Sequence, residues 1–417
     1  MHRIRVSLLY FKEFGWEPEV VTVDPRYSDM VKDELLIQSI PADIKIHTVK
    51  AFNKKWTSKL GLGSLGFRSI WYYRQKVNEL LKNNKYDLIY FSTTQFPVCI
   101  LGSYWKKRFN IPYVIDMQDP WYSEYYKYKP KNERPPKYQI VYGLHKILEA
   151  KAMKTVDGLI SVSEYYINDL KKRYLFLKDV PTATITFGAF KPDLEIAADH
   201  HGKFEFLLDS GFKNIVYVGR GGLDMHKAIT PVFKALKKGL KDNFELFKKT
   251  KFYFIGTSYV VAGSGEPTIL PLAKRYGVED HIVEITDRIS YYHTILTLQQ
   301  ADALFIPGSA DAKYSASKIY PYLLAKKPLL AIFNKNSNAV VILKESTDKA
   351  IILTFDKEIQ QPSDTIYKLL SNWGNDLFSP ISLTPKFEKY SAKNLTGKQT
   401  LLFDQAIQYY AAKNTNA

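Results

Sequence analysis

Cysteine is nearly absent from the chain, and histidine is rare. Among 417 residues there is one cysteine, Cys99, and of the eight histidines only His200 and His201 are adjacent. A single cysteine excludes an intramolecular disulfide, and without paired cysteines there is no zinc-ligand spacing. We therefore expect a chain without a metal site or cofactor, in a reducing compartment, with Cys99 as a core residue of its apolar stretch.

Long hydrophobic runs are also missing. No apolar segment approaches the roughly 20 residues of a membrane-spanning helix, and the basic N-terminus lacks the apolar region of a signal peptide. Apolar residues make up 46% of the chain and charged residues 24%, values typical of soluble globular proteins. The sequence therefore predicts a cytoplasmic location, and its length favours two or three domains.

Acidic residues are outnumbered by basic ones. The 42 Asp and Glu residues against 59 Lys and Arg give a formal net charge of +17, and much of the basic charge lies beside aromatics, in Phe52–Arg74 and Trp121–Tyr138. This mixture fits the anionic inner face of a membrane or a nucleic acid, and the alternative is a solvated lysine-rich surface. Because no nucleic-acid-binding motif accompanies it, we expect no nucleic-acid partner.

Several catalytic motifs do not occur. The chain has no P-loop ending in Gly-Lys-Ser/Thr and no Gly-x-Ser-x-Gly elbow. Its glycine-rich turn also lacks the third glycine of Gly-x-Gly-x-x-Gly. These absences argue against a P-loop nucleotidase, a serine hydrolase of the elbow type and a dinucleotide-binding fingerprint.

A glycine-rich turn carrying a cation is present. After the predicted strand Ile215–Val218 come Gly219, Arg220, Gly221 and Gly222, and Lys227 then opens a predicted amphipathic helix over Ala228–Lys238. Glycines let the backbone approach a phosphate closely, and arginine and lysine supply charge and hydrogen-bond donors. Taken alone, such a turn is only weak support for a phosphate site.

A second turn of this kind follows the predicted strand Ala303–Ile306. Ser315, Ser317 and Lys318 are expected at the start of the next helix, where free backbone N–H groups and the positive end of the helix dipole attract an anion. The alternative is an ordinary capped surface helix. Two cation-bearing turns in one half of the chain favour a diphosphate ligand.

The pattern of apolar segments predicts parallel α/β sheets. Short apolar runs alternate with helical segments such as Ile70–Lys82 and Tyr138–Lys154, and a predicted helix, Met1–Phe14, opens the chain. The predicted strands are Val20–Val23, Leu88–Ser92, Tyr113–Ile115, Gly158–Val162, Thr182–Thr186, Ile215–Val218, Phe252–Ile255, Ile282–Ile285, Ala303–Ile306, Leu329–Phe333 and Ala350–Leu353. A polar stretch, Lys191–Gly202, interrupts the pattern, so the sequence predicts domains over 1–193 and 194–390, followed by a final helix in 391–417.

Four segments, in family order over most of the chain, resemble the retaining glycosyltransferases of family 4. The glycine-rich turn and Lys227 are similar to the family's "G-R…K" clamp, and Ser317–Leu323 to its "S-K-x-Y-E-Y-L" donor segment. Ile111–Trp121 is similar to "I-P-x-V-x-D-x-x-D-x-W", and Val156–Glu164 to "A-D-x-I-x-V-S". The resemblance implies the GT-B fold, in which two Rossmann-like domains with parallel sheets face a cleft and a C-terminal helix crosses back to the N-terminal domain.

The resemblance also implies an activity, the metal-independent transfer of a sugar from a nucleotide-sugar donor to a glycan or glycolipid acceptor, with retention, as in polysaccharide and cell-envelope biosynthesis. Asp116 and Asp119 would orient an acceptor hydroxyl or stabilise a cationic sugar, and a metal pair or a helix cap is the alternative for them. Arg220 and Lys227 would stabilise the leaving diphosphate. The donor-binding residues implied are Gly219, Gly221, Gly222, Ser315, Ser317, Lys318, Tyr322 and Arg288.

The sequence departs from the family pattern in three ways. Pro321 stands where relatives have the glutamate that holds the donor ribose, and Lys313 stands where the family's Glu-x7-Glu pair has its first glutamate. The usual first strand and glycine-rich loop are not found ahead of the first predicted helix. These departures keep a second function open, a non-catalytic GT-B partner protein with impaired donor binding, whereas net charge alone favours a nucleic-acid-binding protein.

Overall fold

The chain divides into two compact units. The computed structural model describes residues 2–28, 33–122, 127, 130–134, 138–311, 318–356 and 363–415. Unit 1 contains Met1–Gly188 and Ala392–Ala417, and unit 2 contains Ala189–Ser391. These divisions lie close to the domain boundaries predicted at 193/194 and 390/391.

Unit 1 combines parallel strands with helices. Its strands are β1 (Val20–Val23), β2 (Ile46–Val49), β3 (Ile89–Ser92), β4 (Tyr113–Met117), β5 (Gly158–Ser161) and β6 (Thr182–Thr184). Its helices are α1 (His2–Leu8), α2 (Lys54–Thr57), α3 (Leu65–Asn83), α4 (Ile100–Phe109), α5 (Tyr138–Met153), α6 (Glu164–Arg173) and, at the end of the chain, α15 (Ala392–Thr415). The strands form two separate parallel sheets, β1-β2 and β3-β4-β5-β6.

The last helix packs onto the sheet of unit 1. Leu402 and Ala406 of α15 join a buried cluster with Val114 and Ile160, which lie in β4 and β5. Gly158 allows this approach, because a Cβ there would meet the Cβ of Ala406 at 3.1 Å. The predicted return of the C-terminal helix to the N-terminal domain is therefore confirmed.

Unit 2 has one six-stranded sheet. Its strands are β7 (Lys213–Val218), β8 (Thr250–Ile255), β9 (Ile282–Ile285), β10 (Ala303–Pro307), β11 (Leu329–Asn334) and β12 (Ile351–Phe355). Its helices are α7 (Pro192–Asp199), α8 (His226–Asp242), α9 (Phe244–Phe247), α10 (Leu270–Tyr276), α11 (Tyr291–Gln300), α12 (Ile319–Ala325), α13 (Asn338–Ser346) and α14 (Ser363–Gly374). The strand order is β12-β11-β10-β7-β8-β9, and every pair is parallel.

Three local predictions are wrong. The polar stretch expected to interrupt the fold contains α7, where Asp193 is buried and accepts hydrogen bonds from the hydroxyls of Tyr291 (2.8 Å) and Tyr292 (2.9 Å). Strand β2 was not predicted, because its residues are mostly exposed and show no apolar run. The predicted helix Met1–Phe14 is broken after α1, and its last turn is a 3-10 helix that ends at Gly15, with φ of 78°.

The fold class is nevertheless the predicted one. Both units are Rossmann-like α/β assemblies of parallel strands and helices, and the strand β4 is buried along its whole length, as strands covered on both faces are. Among the described helices, none combines the length and the apolar character needed to cross a membrane.

Candidate functional site

The strand order of unit 2 places a candidate site at one position of the sheet. From β7 the chain goes first to one side, through β8 and β9, and then to the other side, through β10, β11 and β12. In open parallel sheets, ligands bind at the carboxyl ends of the strands where the order reverses, because the flanking loops diverge there. In this chain that position lies between β7 and β10, and the glycine-rich turn directly follows β7.

The backbone of the turn needs its glycines for its own geometry. Gly221 donates its N–H to the Thr257 carbonyl (2.8 Å), and a Cβ at Gly221 would lie 2.9 Å from the Thr257 Cβ. Gly222 has φ of 140°, a conformation that side chains disfavour, and a Cβ there would meet an oxygen of Asp224 at 2.7 Å. The glycines, including Gly219, thus have structural reasons to be present, and their role in donor binding stays a prediction.

Arg220 is held by a carboxylate that the sequence analysis missed. Its terminal nitrogens donate to the two oxygens of Asp224, at 3.0 and 2.5 Å. The Ser309 hydroxyl also donates to Asp224, and the backbone carbonyl of Asp224 accepts from the N–H of Ala310 at 2.8 Å. Asp224 therefore joins the loop after β7 to the loop after β10. The i,i+4 spacing between Arg220 and Asp224 was the available sequence signal.

Hydrogen bonds from Arg220 and Ser309 lower the pKa of Asp224, Arg220 having the largest effect. The carboxylate is therefore ionised throughout the neutral range, and the guanidinium of Arg220 carries a charge partner when no ligand is bound. An anionic ligand at this position would compete with Asp224 for the same donors.

Lys318 lies in the same electrostatic neighbourhood. Although the residue is exposed, desolvation lowers the pKa of its ammonium, and the positive charges of Arg288 and Arg220 lower it further. Nearby positive charges repel one another and make the protonated form of a lysine less stable. The lowered pKa of Lys318 therefore indicates a place where a bound anion would be stabilised. Lys318, just before α12, is therefore within electrostatic range of two other predicted residues, Arg220 in the loop after β7 and Arg288 in the loop after β9.

Lys318 occupies the cap position just before α12, and Pro321 is the third residue of that helix. Proline is tolerated in the first turn of a helix, so its presence does not disturb α12. The hydroxyl of Tyr322 donates to the Val218 carbonyl (3.0 Å) and accepts from the Val218 N–H (2.7 Å). Tyr322 is buried and ties α12 to the end of β7, a role that sequence reasoning did not assign to it.

Arg288 reaches the site from the loop after β9. It is exposed, and its guanidinium lies 5.0 Å from the centre of the Tyr259 ring. Below it, Glu284 accepts hydrogen bonds from the backbone N–H groups of Ile269 (2.9 Å) and Leu270 (2.7 Å), at the start of α10. Glu284 and Tyr259 were not predicted, because a single carboxylate and a single exposed tyrosine carry no motif.

The other predicted donor residues are not assembled by this geometry. Lys227 is the second residue of α8 and is exposed, without a hydrogen bond or ion pair among the described residues. Ser315, Ser317 and Lys313 lie outside the described residues. Their predicted roles stay predictions.

In unit 1, Asp116 is fully buried at the carboxyl end of β4 and is already paired. Its Oδ2 lies 2.7 Å from Nε of Arg3, a residue of α1 that is itself buried, and it accepts from Nε2 of Gln118 at 2.8 Å. Arg3 also donates to the carbonyls of Ile185 (2.6 Å) and Thr186 (3.0 Å). Desolvation raises the pKa of Asp116, and Arg3 opposes that rise.

Asp119 differs from Asp116 in its surroundings. It is exposed in the turn after β4, and partial desolvation raises its pKa. In this structure only Asp119 of the two predicted catalytic carboxylates is open to solvent. Neither belongs to a candidate metal centre, since no group of three or more His, Cys, Asp or Glu side chains among the described residues is placed to hold a metal ion.

Comparison with known proteins gives only structural likenesses. No family model and no curated protein matches the chain. Anabaena Alr3699/HepE in complex with UDP is similar over 99% of this chain and 95% of that chain, with 13% identity and a TM-score of 0.49. The UDP-forming α,α-trehalose-phosphate synthase of Burkholderia vietnamiensis covers 96% and 100%, with 12% identity and a TM-score of 0.44.

A third solved structure contains S. aureus TarM in complex with Fondaparinux, α-GlcNAc-glycerol and UDP. It is similar over 81% of this chain and 59% of that chain, with 14% identity and a TM-score of 0.41. Superpositions this loose transfer no residue roles. What this chain itself provides is a doubly wound parallel sheet with the glycine-rich turn and Arg220 at its switch point.

Proposed function

We propose that this chain is a glycosyltransferase of the GT-B type that uses a nucleotide-sugar donor. The observation that carries the proposal is the glycine-rich turn with Arg220 at the switch point of the unit 2 sheet, with Lys318 near enough for Arg220 and Arg288 to lower its pKa. A nucleoside diphosphate matches this site in charge, and the neighbouring glycine-rich turn keeps side chains away from the backbone. The resemblance of the same segments to family 4 donor motifs supports the assignment.

In the proposed mechanism, the cations act on the leaving group. As the bond between sugar and diphosphate breaks, negative charge grows on the phosphate oxygens, and donors already in place stabilise it without reorganisation. The guanidinium of Arg220 would leave the Asp224 carboxylate and donate to the phosphate instead, because both groups present anionic oxygens to the same nitrogens. Lys227, seven residues after Arg220 and the second residue of α8, would add charge to the same ligand.

The finer parts of the proposal concern the reaction. We propose retention at the anomeric carbon, without a metal, since protein cations would neutralise the diphosphate. The acceptor would be a glycan or a glycolipid bound by unit 1, and Asp119 would be its carboxylate contact. A lipid-linked acceptor would place the protein at the inner face of a membrane.

A second function is favoured by two observations. Asp116, the first proposed catalytic carboxylate, is neutralised by Arg3 and buried, and Pro321 offers no acceptor for a ribose hydroxyl. Both would be tolerated in a GT-B protein that binds a nucleotide or a partner without transferring sugar.

Two measurements on the wild-type chain separate these functions. Thermal unfolding with UDP-, GDP-, ADP- and CMP-sugars reports donor binding, since a ligand that binds only the folded state raises its stability. Release of free sugar from the same donors reports cleavage. A glycosyltransferase shows both signals for at least one donor, and the non-catalytic protein shows only the first. If no donor gives either signal, the proposed function is wrong.

A further inference from the structure

A segment of unit 1 is unusually basic and carries exposed aromatic rings. No acidic residue lies between Asp43 and Glu79, whereas eight lysines and arginines do. Within this segment, Trp56 is 72% exposed, and Phe52 and Trp71 are each 45% exposed. Lys54, Lys55 and Lys59 are exposed around them. We call Phe52, Lys54, Lys55, Trp56, Lys59 and Trp71 the aromatic–basic surface.

The aromatic part of this surface is held in place. The ring of Phe52 lies 5.0 Å from that of Tyr72 and 6.1 Å from that of Trp71. Beneath them, the buried guanidinium of Arg68 donates from Nε to the Phe52 carbonyl at 2.7 Å, and the Phe52 N–H donates to the Arg68 carbonyl at 2.9 Å. The loop before α2 is thereby fixed to α3, so the exposed rings are displayed by a rigid support.

Trp56 projects from α2, a helix capped by the side chain of Asn53, which accepts the Lys55 N–H at 2.9 Å. The ammonium of Lys59 lies 5.5 Å from the centre of the Trp56 ring. The ring therefore combines a large apolar area with a cation at its face. Tryptophan with lysine in this arrangement is typical of residues at the boundary between lipid headgroups and acyl chains.

We infer that the aromatic–basic surface docks unit 1 on a membrane rich in anionic lipid. The exposed lysines are complementary in charge to the negative headgroups. The rings of Phe52, Trp56 and Trp71 can enter the interfacial layer at little cost in free energy. The inference goes beyond the proposed function, because it needs neither donor binding nor catalysis.

Trp121 opens the second basic and aromatic segment of the sequence, much of which (121–138) lies outside the described residues. Trp121 itself is buried, stacks on Phe96 with ring centres 5.3 Å apart, and donates from Nε1 to His145 at 2.8 Å. The prediction that Trp121 faces a membrane is therefore wrong.

Vesicle sedimentation with the full chain tests the inference. Vesicles of phosphatidylglycerol and phosphatidylcholine in equal parts should bind the wild type at low salt, whereas pure phosphatidylcholine should not. Each lysine near an anionic surface strengthens partitioning about fivefold, so Lys54→Gln with Lys55→Gln should weaken it about 25-fold. Trp56→Ala should weaken the binding that persists at higher salt, because its contribution is not ionic.

A matched control removes the same charge elsewhere. Lys234 and Lys237 are exposed on α8, and Lys234→Gln with Lys237→Gln should leave vesicle binding unchanged. Because all the substituted residues are exposed, circular dichroism should show an unchanged fold for each variant. Equal binding to both vesicle types, no binding, or the same loss in the control variant would overturn the inference. Binding to a single-stranded oligonucleotide that only the Lys54/Lys55 variant loses, without vesicle binding, would assign the surface to nucleic acid instead.

Discussion

Charged residues near the carboxyl edges of the two main parallel sheets differ in burial and in pairing. In unit 1, Asp116 lies at the carboxyl end of β4 and is paired with Arg3, and both side chains are buried. In unit 2, Arg220 follows the end of β7 and Lys318 lies just before α12, and the positive charge of Arg220 lowers the pKa of Lys318. A charged residue near the end of an apolar strand thus belongs to a buried ion pair in one unit and lies near further cations in the other.

The difference has a physical basis in what the rest of the unit supplies. Arg3 comes from α1, which packs in the same buried region as the Asp116 carboxylate, and a buried charge is tolerated only when it is paired. Arg220 is paired with Asp224, whose carboxylate carries one negative charge, and Lys318 lies near enough for Arg220 and Arg288 to lower its pKa. An ion pair formed within the protein contributes to the stability of the fold, whereas neighbouring charges of the same sign attract a ligand of opposite charge.

The largest effect is expected in unit 1, on removal of Arg3 from its pair with Asp116. Arg3→Ala leaves a buried carboxylate without its cation, so it should lower the free energy of unfolding by about 3–5 kcal/mol in urea titrations at neutral pH. Because the raised pKa of Asp116 would rise further in the folded variant, the loss should shrink as pH falls through that raised pKa, above the ordinary carboxyl range. Lys12→Ala, which removes an exposed partner of Asp43, is the control and should change stability little. A loss for Arg3→Ala no greater than for this control would contradict the pairing.

On the unit 2 side, Arg220→Ala should weaken nucleoside-diphosphate binding by roughly tenfold to a hundredfold, since a charge-assisted contact contributes about 1.5–3 kcal/mol. Titration calorimetry measures this. Arg275→Ala removes an exposed arginine of α10 and should leave the affinity unchanged. Unchanged affinity in a folded Arg220→Ala variant would exclude the arginine from the site.

Asp224→Asn removes a negative charge from the neighbourhood of Arg220. The amide oxygen of the asparagine can still accept hydrogen bonds from Arg220 and Ser309. We expect nucleoside-diphosphate binding to tighten severalfold. The folded pKa of Asp224 is lowered, so its contribution to stability is complete above the ordinary carboxyl pKa and is lost as pH falls through the lowered value. Acid unfolding curves of the variant should therefore lack this component. Weaker binding in Asp224→Asn would show that orienting Arg220 matters more than neutralising it.

The smallest expected effect concerns Pro321→Glu. The substitution restores an acceptor in the first turn of α12, where the missing proline ring costs the helix nothing. It should tighten nucleotide-sugar binding modestly if the donor ribose lies beside α12, as in the proposed function. An unchanged affinity in a wild-type chain that already binds a donor would mean that another residue holds the ribose.

Much of the fold follows from the sequence, because buried parallel strands have continuous apolar runs. β1 and β9 match their predicted ranges, and β7 is predicted to its last residue. Strand β2 and helix α7 could not be predicted, since β2 is held by pairing with β1 rather than by its own apolar pattern. In α7, Asp193 reads as a surface residue until the hydroxyls of α11 are known.

The site was predictable only in part, for a related reason. Glycine and arginine after a strand indicate a phosphate turn, and this pattern predicted Arg220, whereas the expected helix start predicted Lys318. The partners of charges cannot be identified from local spacing, because Arg3 and Asp116 are far apart along the chain. Neither the burial of Asp116 nor the exposure of Lys227 could therefore be anticipated from the sequence.

The most direct test of the central claim compares ligands that differ only in their phosphates. Wild-type chain is titrated calorimetrically with UDP, GDP, ADP and CDP, and with the corresponding nucleosides, at low and high salt. If the cationic cluster of unit 2 is a diphosphate site, at least one nucleoside diphosphate binds, its nucleoside binds far more weakly, and added salt reduces the difference. Equal affinity for a nucleoside and its diphosphate, or no binding of any diphosphate, would show that these cations of unit 2 do not form a diphosphate site.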